Sequence, residues 1–482
     1  MKLSEVLAGV NALAFHADPD LEIQGVSYDS RTTQPGDLFV AVTGYAADGH
    51  KFIPMALEKG AAAVLCEHAP EADVPYVTVE STRAALAQVG ANWFGHPAES
   101  MTVIGVTGTN GKTTVTYLLK SVLEQTLGAK VGLIGTIQNM IGEEILETER
   151  TTPESFELQS LFAKMRDAGC THVIMEVSSH ALVLHRVDCI PFEVGVFTNL
   201  TEDHLDFHKT MEAYGQAKAI LFSRCRRGVV NLDDEAAQVM LDAATCPVHT
   251  FAVQNTRADV TAGDVDLGSD HVAFTAHAGG QSCPVRLGIP GGFTVYNALA
   301  VIGAALELEI PLAEIAAALR NARGVKGRVE VVPTPGKDYT ILIDYAHTPD
   351  GLENVLRAVQ GFCKGRVIAV FGCGGDRDPI KRPIMGKIGV ELSDLAVITS
   401  DNPRTEDPNA IIRQIVAGFE GTEKPYVVIE NRREAIRWAM DHAEKDDIIV
   451  LCGKGHETYQ ILGTVKTHLD EREEVAAHLA GH

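Results

Sequence analysis

The segment TGTNGKTT, Thr107 to Thr114, constrains the fold of this chain more than any other feature. An apolar run, MTVIGV, precedes it, and the helical stretch TVTYLLKSVLEQTLG overlaps its end. A phosphate-binding loop requires this succession of strand, Gly-rich loop and helix, because backbone N–H groups and the positive end of the helix dipole then face one anion. The sequence therefore predicts an α/β domain built around this loop.

The residue types in the loop predict a nucleotide site. Glycine allows the backbone to approach phosphate oxygens, Lys112 supplies a cation, and Thr113 can hold Mg²⁺. The common spacing GxxxxGK[ST] would place glycine at position 106, where this chain has Val106. A plain Gly-rich turn before a helix is the alternative, which the combined strand, lysine and threonine disfavour. The predicted ATP contacts in the loop are Gly108, Thr109, Asn110, Gly111, Lys112, Thr113 and Thr114.

Further apolar runs that end in polar or Gly-rich loops indicate the domain organisation. After Met101 they are MTVIGV, HVIMEV, FEVGVFTN and GVVN, and after Arg328 they are TILIDY, RVIAVFG, LAVIT, YVVI and DIIVLCG. Residues 258–288 alternate in shorter runs, which predicts a few antiparallel strands. The predicted fold class is α/β in three domains: a small N-terminal α/β domain (1–82), a central P-loop ATPase-like parallel-sheet domain (83–331) and a C-terminal Rossmann-like domain (332–482).

Composition excludes several classes of protein. The chain has 41 Lys and Arg residues against 64 Asp and Glu residues, a net charge of -23, which argues against nucleic-acid binding. Its start lacks a signal-peptide profile, and no apolar run reaches the ~18 residues of a membrane span. The nine cysteines are scattered without a CxxC pair, which favours reduced thiols. We therefore expect a cytoplasmic protein with no integral membrane segment.

The variant TGTNGKTT and a series of later motifs resemble the Mur ligase and folylpolyglutamate synthase superfamily. The motifs follow that family's order over nearly the whole chain: EVSSH (Glu176 to His180), NLTEDHLDFH (Asn199 to His208), YGQAKAILF (Tyr214 to Phe222), FTVYNALA (Phe293 to Ala300), GVKGRVEVV (Gly324 to Val332), DYAHTPDGLE (Asp344 to Glu353) and DNPR (Asp401 to Arg404). Each string alone is weak evidence, whereas the ordered set is specific.

The resemblance implies an ATP-dependent ligase of peptidoglycan precursor synthesis, active as a monomer. Its implied substrates are ATP, a UDP-N-acetylmuramoyl dipeptide and meso-diaminopimelate. The amino acid would be joined to the dipeptide through an acyl-phosphate intermediate. A lysine-adding relative is the first alternative, and folylpolyglutamate synthase is more distant. From other classes, a nucleotide-dependent switch and a non-catalytic sugar-nucleotide binding module stay open.

The same resemblance implies a Mg²⁺ site and four catalytic residues. The implied metal ligands are Thr113, Glu176, His204 and a CO₂-derived carbamate on Lys218, and the catalytic residues are Lys112, Lys218, His204 and Glu176. Carboxylate is the usual partner of Mg²⁺, and imidazole is less usual. By itself, His204 would more often be structural, and Lys218 would more often extend its charged end to a helix surface.

The remaining nucleotide and acceptor contacts are also implied by the resemblance. Asn297 would contact adenine, Arg328 the phosphates and Asp344 the ribose. The acceptor would lie between the first two domains, held by Ser30, Thr151, Thr152, Ser178 and Arg186, although Ser and Thr are equally common in turns and caps. The chain departs from the family at Thr294, where Asn is frequent, and at Leu184, where Gln is frequent.

Three loops after C-terminal strands predict the amino-acid site: GCGGDRD, SDNPRTEDP and CGKGHE. The carboxyl ends of parallel strands meet at one edge of a sheet, where ligands bind. Arg404 can hold the extra carboxylate of diaminopimelate through two bonds, Arg377 adds positive charge, and Glu457 can accept from the far ammonium. An ordinary Pro-containing turn is the alternative. The predicted contacts are Arg377, Asp401, Asn402, Pro403, Arg404, Gly453 and Glu457.

Overall fold

The structure is a computed structural model that describes residues 1–44, 48–146, 148, 150–322 and 324–481, without the side chain of Asp206. The chain divides into two units, Met1–Thr250 and Phe251–His482. Its nine cysteines are free thiols, as predicted. Among the helices of the described ranges, none is both long enough and apolar enough to cross a membrane.

The first unit begins with a five-stranded sheet. Its strands are β1 (Ala12–His16), β2 (Gly25–Ser27), β3 (Asp37–Val40), β4 (Ala63–Cys66) and β5 (Tyr76–Val79), and its helices are α1 (Leu3–Val6), α2 (Ile53–Glu58) and α3 (Thr82–Phe94). The order is β1-β5-β4-β3-β2, with β1 antiparallel to β5 and the other pairs parallel. β3 and β4 are buried along their whole length, which is typical of parallel strands covered on both faces. Leu86 and Val89 of α3 pack in the core of this sheet.

A second sheet of the first unit carries the predicted phosphate loop. Its strands are β6 (Thr102–Thr107), β7 (Val131–Ile134), β8 (Asn139–Ile141), β9 (Glu144–Leu146), β10 (His172–Glu176), β11 (Phe192–Phe197) and β12 (Cys225–Asn231). They lie in the order β12-β11-β6-β10-β7-β8-β9, parallel from β12 to β7. The helices are α4 (Lys112–Leu127), α5 (Ser155–Asp167), α6 (Ser179–Val183), α7 (Leu205–His208), α8 (Met211–Ala219) and α9 (Ala237–Ala243). β6 is central, so its carboxyl end is flanked by the ends of β10 and β11.

The second unit begins with the antiparallel strands predicted around residues 258–288. β13 (Val248–Ala252), on which the unit boundary falls, pairs with β14 through Phe251 and Ala252. β14 (Val260–Leu267), β15 (Val272–Ala278) and β16 (Gln281–Leu287) then form an antiparallel meander. Two helices follow, α10 (Gly292–Glu307) and α11 (Leu312–Asn321).

The rest of the second unit is a doubly wound sheet. Its strands are β17 (Glu330–Val332), β18 (Thr340–Asp344), β19 (Val367–Phe371), β20 (Leu395–Ile398), β21 (Tyr426–Val428) and β22 (Ile448–Cys452), in the order β17-β18-β22-β19-β20-β21. All pairs are parallel except β17 with β18. The other elements are the hairpin β23 (Tyr459–Leu462) and β24 (Val465–His468), and the helices α12 (Pro349–Gln360), α13 (Lys381–Glu391), α14 (Pro408–Val416), α15 (Arg432–His442) and α16 (Glu471–Leu479).

Alternating side chains explain why this sheet carries helices on both faces. Leu342 and Ala369 pack in one core with α12, α13 and α14, while Ile341 and Ile368 pack in another with α15 and α16. Successive residues of a strand point to opposite faces, so each apolar strand needs two helical layers. The predicted α/β fold class is confirmed in its N-terminal, central and C-terminal parts, while the proposed boundaries at 82/83 and 331/332 stay predictions.

A buried ion pair stabilises the end of β22. Arg432 and Glu471 are fully buried, with Arg432 Nη2 2.7 Å from Glu471 Oε1, and Arg432 Nη2 also donates to the Cys452 carbonyl at 2.8 Å. We expect Arg432→Met to lower the free energy of unfolding by about 3–5 kcal/mol, because it leaves a buried carboxylate unpaired. Replacing both partners, Arg432→Met with Glu471→Leu, should restore much of this loss. Urea denaturation tests both, and a single variant as stable as the native protein would contradict the assignment.

Candidate active site

The phosphate loop joins β6 to α4 and has two backbone positions that require glycine. Gly111 has a φ of 85° and Gly108 a φ of 150°. A Cβ atom on Gly108 would lie 1.9 Å from Thr198 Oγ1 at the end of β11. No side chain fits there, so the chain passes directly against the neighbouring strand. The glycine predicted for close backbone approach is therefore also required by the packing of the sheet.

The segment after β11 holds the tip of this loop. Asn110 N donates to Asn199 Oδ1 at 2.8 Å, and Asn199 Nδ2 donates back to the Asn110 carbonyl at 3.1 Å. Asn110 Nδ2 donates to Thr201 Oγ1 at 3.2 Å, and Thr201 N donates to Thr109 Oγ1 at 3.0 Å. Asn199 and Thr201 lie in a motif that supported the family resemblance, but sequence reasoning assigned them no role. The only signal was a polar run directly after an apolar strand.

Two lysines meet at one carbonyl oxygen of the loop. Lys112 Nζ and Lys218 Nζ each donate to the Gly108 carbonyl at 2.9 Å, and Lys112 also donates to the Thr109 carbonyl. Lys218 lies on α8, is 1% exposed, and its Nζ is 4.2 Å from the centre of the Tyr214 ring. Burial, and then the charge of Lys112, lower the pKa of Lys218 well below its usual value, against a smaller effect of Asp203. The alternative of a lysine that reaches solvent is therefore wrong.

Glu176 ends β10 and is 1% exposed beside the start of α4. Its Oε1 accepts from Thr113 Oγ1 at 2.9 Å and from Thr136 N at 3.0 Å, while Oε2 accepts from Thr136 Oγ1 at 2.9 Å. Thr136 Oγ1 also lies 3.0 Å from Thr151 Oγ1. Thr136 was not found from the sequence. Its loop follows β7, and it lies beside Glu176 only because β7 and β10 are neighbours in the sheet.

The predicted metal ligands differ in their contacts and in their exposure to solvent. Thr113 and Glu176 are hard oxygen donors, and such donors suit Mg²⁺, which usually binds one or two carboxylates together with substrate phosphates and waters. His204 is less enclosed: its side chain is 47% exposed and lies 3.4 Å from Asp203 Oδ2. Within the described ranges, no group of three or more His, Cys, Asp or Glu side chains is arranged to hold a metal. The predicted set contains only one carboxylate and one imidazole beside the Thr113 hydroxyl, which is fewer donors than Mg²⁺ takes, so phosphate oxygens and waters would have to complete its coordination.

Four of the five predicted acceptor residues lie together. Thr152 Oγ1 donates to the Glu176 carbonyl at 2.9 Å and accepts from Ser178 N at 3.3 Å. Ser178 also caps α6 by accepting from Ala181 N, and Arg186 Nη1 donates to the Thr152 carbonyl at 3.2 Å. Thr151 joins this group through its contact with Thr136.

Ser30 has its contacts elsewhere, where its buried hydroxyl donates to Met55 Sδ at 3.3 Å. A cavity of about 500 Å³ in the first unit is lined by both N-terminal and central residues: Tyr28, Asn139, Leu146, Thr148, Arg150, Pro153, Glu154, Glu157, Leu161 and Lys164. Glu154 on its wall pairs with Arg186 at 2.8 Å and with Arg150 at 2.7 Å. The wall is therefore mixed in charge, and it adjoins the acceptor residues.

The three other predicted nucleotide contacts, Asn297, Arg328 and Asp344, lie in the second unit. Asn297 is buried on α10. Asp344 ends β18, and its carboxylate accepts from Val329 N at 2.8 Å and Ala346 N at 2.9 Å. Burial raises the pKa of Asp344, although Arg328 opposes the effect. Arg328 Nε is buried and makes no hydrogen bond to any residue in the described part of the chain. The Asp344 carboxylate is thus already bonded to the backbone N–H groups of two other residues, whereas Arg328 keeps an unsatisfied donor.

The three predicted amino-acid loops follow the adjacent strands β22, β19 and β20. Arg404 Nη1 donates to the Gly375 carbonyl at 2.9 Å, and Asn402 Nδ2 donates to Glu457 Oε2 at 3.0 Å. A Cβ atom on Gly453 would lie 2.5 Å from Asp401 Oδ2, at a backbone φ of 112°. The structure brings Asp401, Asn402, Pro403, Arg404, Gly453 and Glu457 to one edge, as predicted from the strand ends, with Arg377 exposed beside them.

Lys454 lies among these predicted contacts, and sequence reasoning missed it. It lies inside CGKGHE, between the two residues chosen from that loop, and it is fully buried. Its Nζ donates to Asn402 Oδ1 at 2.9 Å and to Glu457 Oε2 at 3.3 Å, and lies 3.5 Å from Asp401 Oδ1. A lysine between two glycines is typical of a solvent-exposed turn, so the burial of Lys454 is evident only from the tertiary structure.

Comparison with known families gives matches along most of the chain. The profile described as "Mur ligase family, catalytic domain" matches residues 22–94, "Mur ligase middle domain" matches 106–305, and "Mur ligase, glutamate ligase domain" matches 327–455.

Individual proteins match over their full length. The chain is 47% identical to a protein of Caldanaerobacter subterraneus, over 100% of this chain and 99% of that one, and that protein is named UDP-N-acetylmuramoyl-L-alanyl-D-glutamate–2,6-diaminopimelate ligase. It is 48% identical to the similarly named ligase 1 of Clostridium acetobutylicum, over 99% and 98% of the two chains. A solved structure of a ligase with the same name is 30% identical, with a TM-score of 0.75 and coverage of 100% and 99%.

The close approach of Gly108 to Thr198 yields a prediction with a matched control. Gly108→Ala should weaken ATP binding by roughly tenfold or more, because the new Cβ displaces the loop whose N–H groups are predicted to face the phosphates. Gly128→Ala, at the end of α4, has a positive φ of 59° but open space around the new Cβ. It should lower stability by about 1 kcal/mol and leave ATP binding unchanged. Isothermal titration calorimetry distinguishes them, and equal ATP affinity in both variants would contradict the prediction.

Proposed function

The chain belongs to the Mur ligase family, and on that premise we propose that it joins 2,6-diaminopimelate to UDP-N-acetylmuramoyl-L-alanyl-D-glutamate, converting ATP to ADP and phosphate. Full-length identity of 47% and 48% to ligases of that name supports the reaction. The observation that carries it is the hydrogen-bonded series Thr113, Glu176, Thr136 and Thr151. This series links the residues predicted to bind the ATP phosphates to those predicted to bind the acceptor. Phosphoryl transfer requires ATP and the acceptor side by side.

In the first step of the proposed mechanism, an oxygen of the D-glutamyl side-chain carboxylate attacks the γ-phosphorus of ATP. ADP leaves, and the acceptor becomes an acyl phosphate. Lys112 offsets negative charge on the transferring group, and Thr113 and Glu176 would hold Mg²⁺ there. Bound Mg²⁺ would supply further charge neutralisation to the phosphate oxygens. Thr151 and Thr152 orient the acceptor through backbone and hydroxyl contacts next to Glu176.

In the second step, the neutral amine of diaminopimelate attacks the acyl carbon, phosphate leaves, and the nitrogen loses a proton. The pocket at the ends of β19, β20 and β22 would orient that amine from its far end. Arg404 and Arg377 would hold the distal carboxylate, and Glu457 would accept from the distal ammonium. Meso-diaminopimelate is our proposed substrate, and its distal centre presents both of these groups. Lysine would leave both arginines without their anion.

Lys218 is proposed to carry a carbamate. Its buried amine shares the Gly108 carbonyl with Lys112, and the neutral form avoids placing two ammonium groups there. Addition of CO₂ to the neutral nitrogen forms an N–C bond, releases one proton and yields an anion. That anion would attract Lys112 rather than repel it and would add an oxygen donor to the Mg²⁺ site. The nucleotide-linked acceptor and ATP support the expected cytoplasmic location, and a monomer remains our expectation for its assembly.

The reaction can be tested by ADP release. We expect release to require acceptor and amino acid together, and initial rates with meso-diaminopimelate to exceed those with lysine by up to about 10⁴ at equal concentration. Arg404→Ala should lower diaminopimelate use without a comparable effect on ATP affinity. Arg413→Ala is the matched control, because this arginine is 70% exposed on α14. ATP hydrolysis at the same rate without acceptor and amino acid would indicate a nucleotide switch. A preference of the native enzyme for lysine would refute diaminopimelate as the substrate.

The carbamate predicts a spectroscopic signal that depends on one lysine. With ¹³CO₂ present, the native protein should give a carbamate ¹³C resonance that Lys218→Ala lacks, together with a loss of most ligation. Short carboxylates such as acetate should restore part of the activity by occupying the vacated space. Lys120→Ala is the control, since that buried lysine pairs with Glu124 at 2.7 Å and should not react. A resonance that persists in Lys218→Ala would refute the assignment.

A further inference from the structure

Lys454 is the fully buried lysine among the predicted contacts of the amino acid. A fully buried ammonium is costly unless it is paired and hydrogen-bonded. The three oxygens around Lys454 Nζ belong to Asp401, Asn402 and Glu457, all predicted contacts of the amino acid. Burial alone would raise the pKa of Asp401, but the charges of Lys454 and then Arg432 outweigh it and hold that pKa below its usual value. Lys454 therefore lowers the pKa of Asp401 and fixes the positions of the Asn402 and Glu457 side chains.

Among the predicted contacts of the amino acid together with Lys454, the positive side chains outnumber the negative ones by one. Arg377, Arg404 and Lys454 are cationic, and Asp401 and Glu457 are anionic. The two arginines lie close together, since a Cβ atom on Gly374 would be 2.9 Å from Arg404 Nη1 and 3.8 Å from Arg377 Cγ. The nearby Arg432 is paired with Glu471, and these two charges cancel.

The two candidate amino acids, diaminopimelate and lysine, differ in net charge by one unit. With its reacting amine neutral, diaminopimelate has two carboxylates and one ammonium and therefore a net charge of minus one. Lysine in the same state has one carboxylate and one ammonium and is neutral. A pocket with excess positive charge favours the first over the second even before any direct hydrogen bond is counted.

We propose that Lys454 is a specificity-determining positioning residue, which keeps the pocket positive and holds Asn402 and Glu457 in place for an amino acid with a second carboxylate. This inference rests on the proposed function. The hydrogen bonds of Lys454 end on Glu457 Oε2 and Asn402 Oδ1, so it also orients the carboxylate that would receive the distal ammonium.

Three variants separate charge from packing. Lys454→Met makes the pocket neutral and should lower the ratio of kcat/KM for diaminopimelate to that for lysine on the order of tenfold, mostly through the KM of diaminopimelate. Asp401→Asn alone adds positive excess and should raise the ratio. The double variant, Lys454→Met with Asp401→Asn, removes the buried pair together and keeps the native excess, so its ratio should return close to native.

Each outcome of these measurements decides the matter. Equal losses for both amino acids in Lys454→Met would reduce Lys454 to a packing role and overturn the proposal. A double variant with a ratio as low as that of Lys454→Met would do the same, as would a lowered ratio in Asp401→Asn. Circular dichroism melting confirms that each variant is folded. If Lys454→Met does not fold, Asp401→Asn and the double variant still test the sign of the effect. A native enzyme that does not use diaminopimelate would instead refute the proposed function.

Discussion

The contact between Gly108 and the end of β11 is the constraint on which the phosphate site depends. Because Thr198 occupies the space of a Gly108 side chain, the loop lies against β11 and its residues can bond with Asn199 and Thr201. The Gly108 carbonyl is thereby placed between α4 and α8, where two lysines donate to it. One close backbone approach thus brings together Lys112, the lysine predicted to bind phosphate, and Lys218, a buried lysine of lowered pKa. A larger residue at position 108 would separate all of them.

The proposed reaction uses two sheets in the same way. In the central sheet the loops after β6, β7 and β10 contribute Thr113, Thr136 and Glu176. In the C-terminal sheet the loops after β19, β20 and β22 contribute the amino-acid pocket. Parallel strands place all their carboxyl ends at one edge, so residues far apart in sequence converge there without a dedicated scaffold. Each sheet can then provide its own substrate site, as a reaction with an activated intermediate and a separate incoming amine requires.

Charge is handled differently in the two sites. At Gly108, two lysines face one carbonyl, and burial favours the neutral form of Lys218. In the amino-acid pocket, Lys454 is equally buried but has two carboxylates beside it. The same residue type is therefore proposed to react with CO₂ in one place and is paired with carboxylates in the other. The difference lies in the partners, since an opposite charge offsets the cost of desolvation and a like charge adds to it.

The order of strands, loops and helices was predicted from the sequence alone, as were the phosphate loop and the three amino-acid loops, because local apolar periodicity and glycine positions do not depend on distant contacts. Thr136, Asn199 and Lys454 could not be found that way. Each acts on a residue 40 or more positions distant, or from a turn whose burial no local pattern reveals. Which strands are neighbours, and which polar side chains are buried between their ends, was decided only by tertiary packing. Hydrogen bonds and desolvation depend on distances in space, and a sequence contains only distances along the chain.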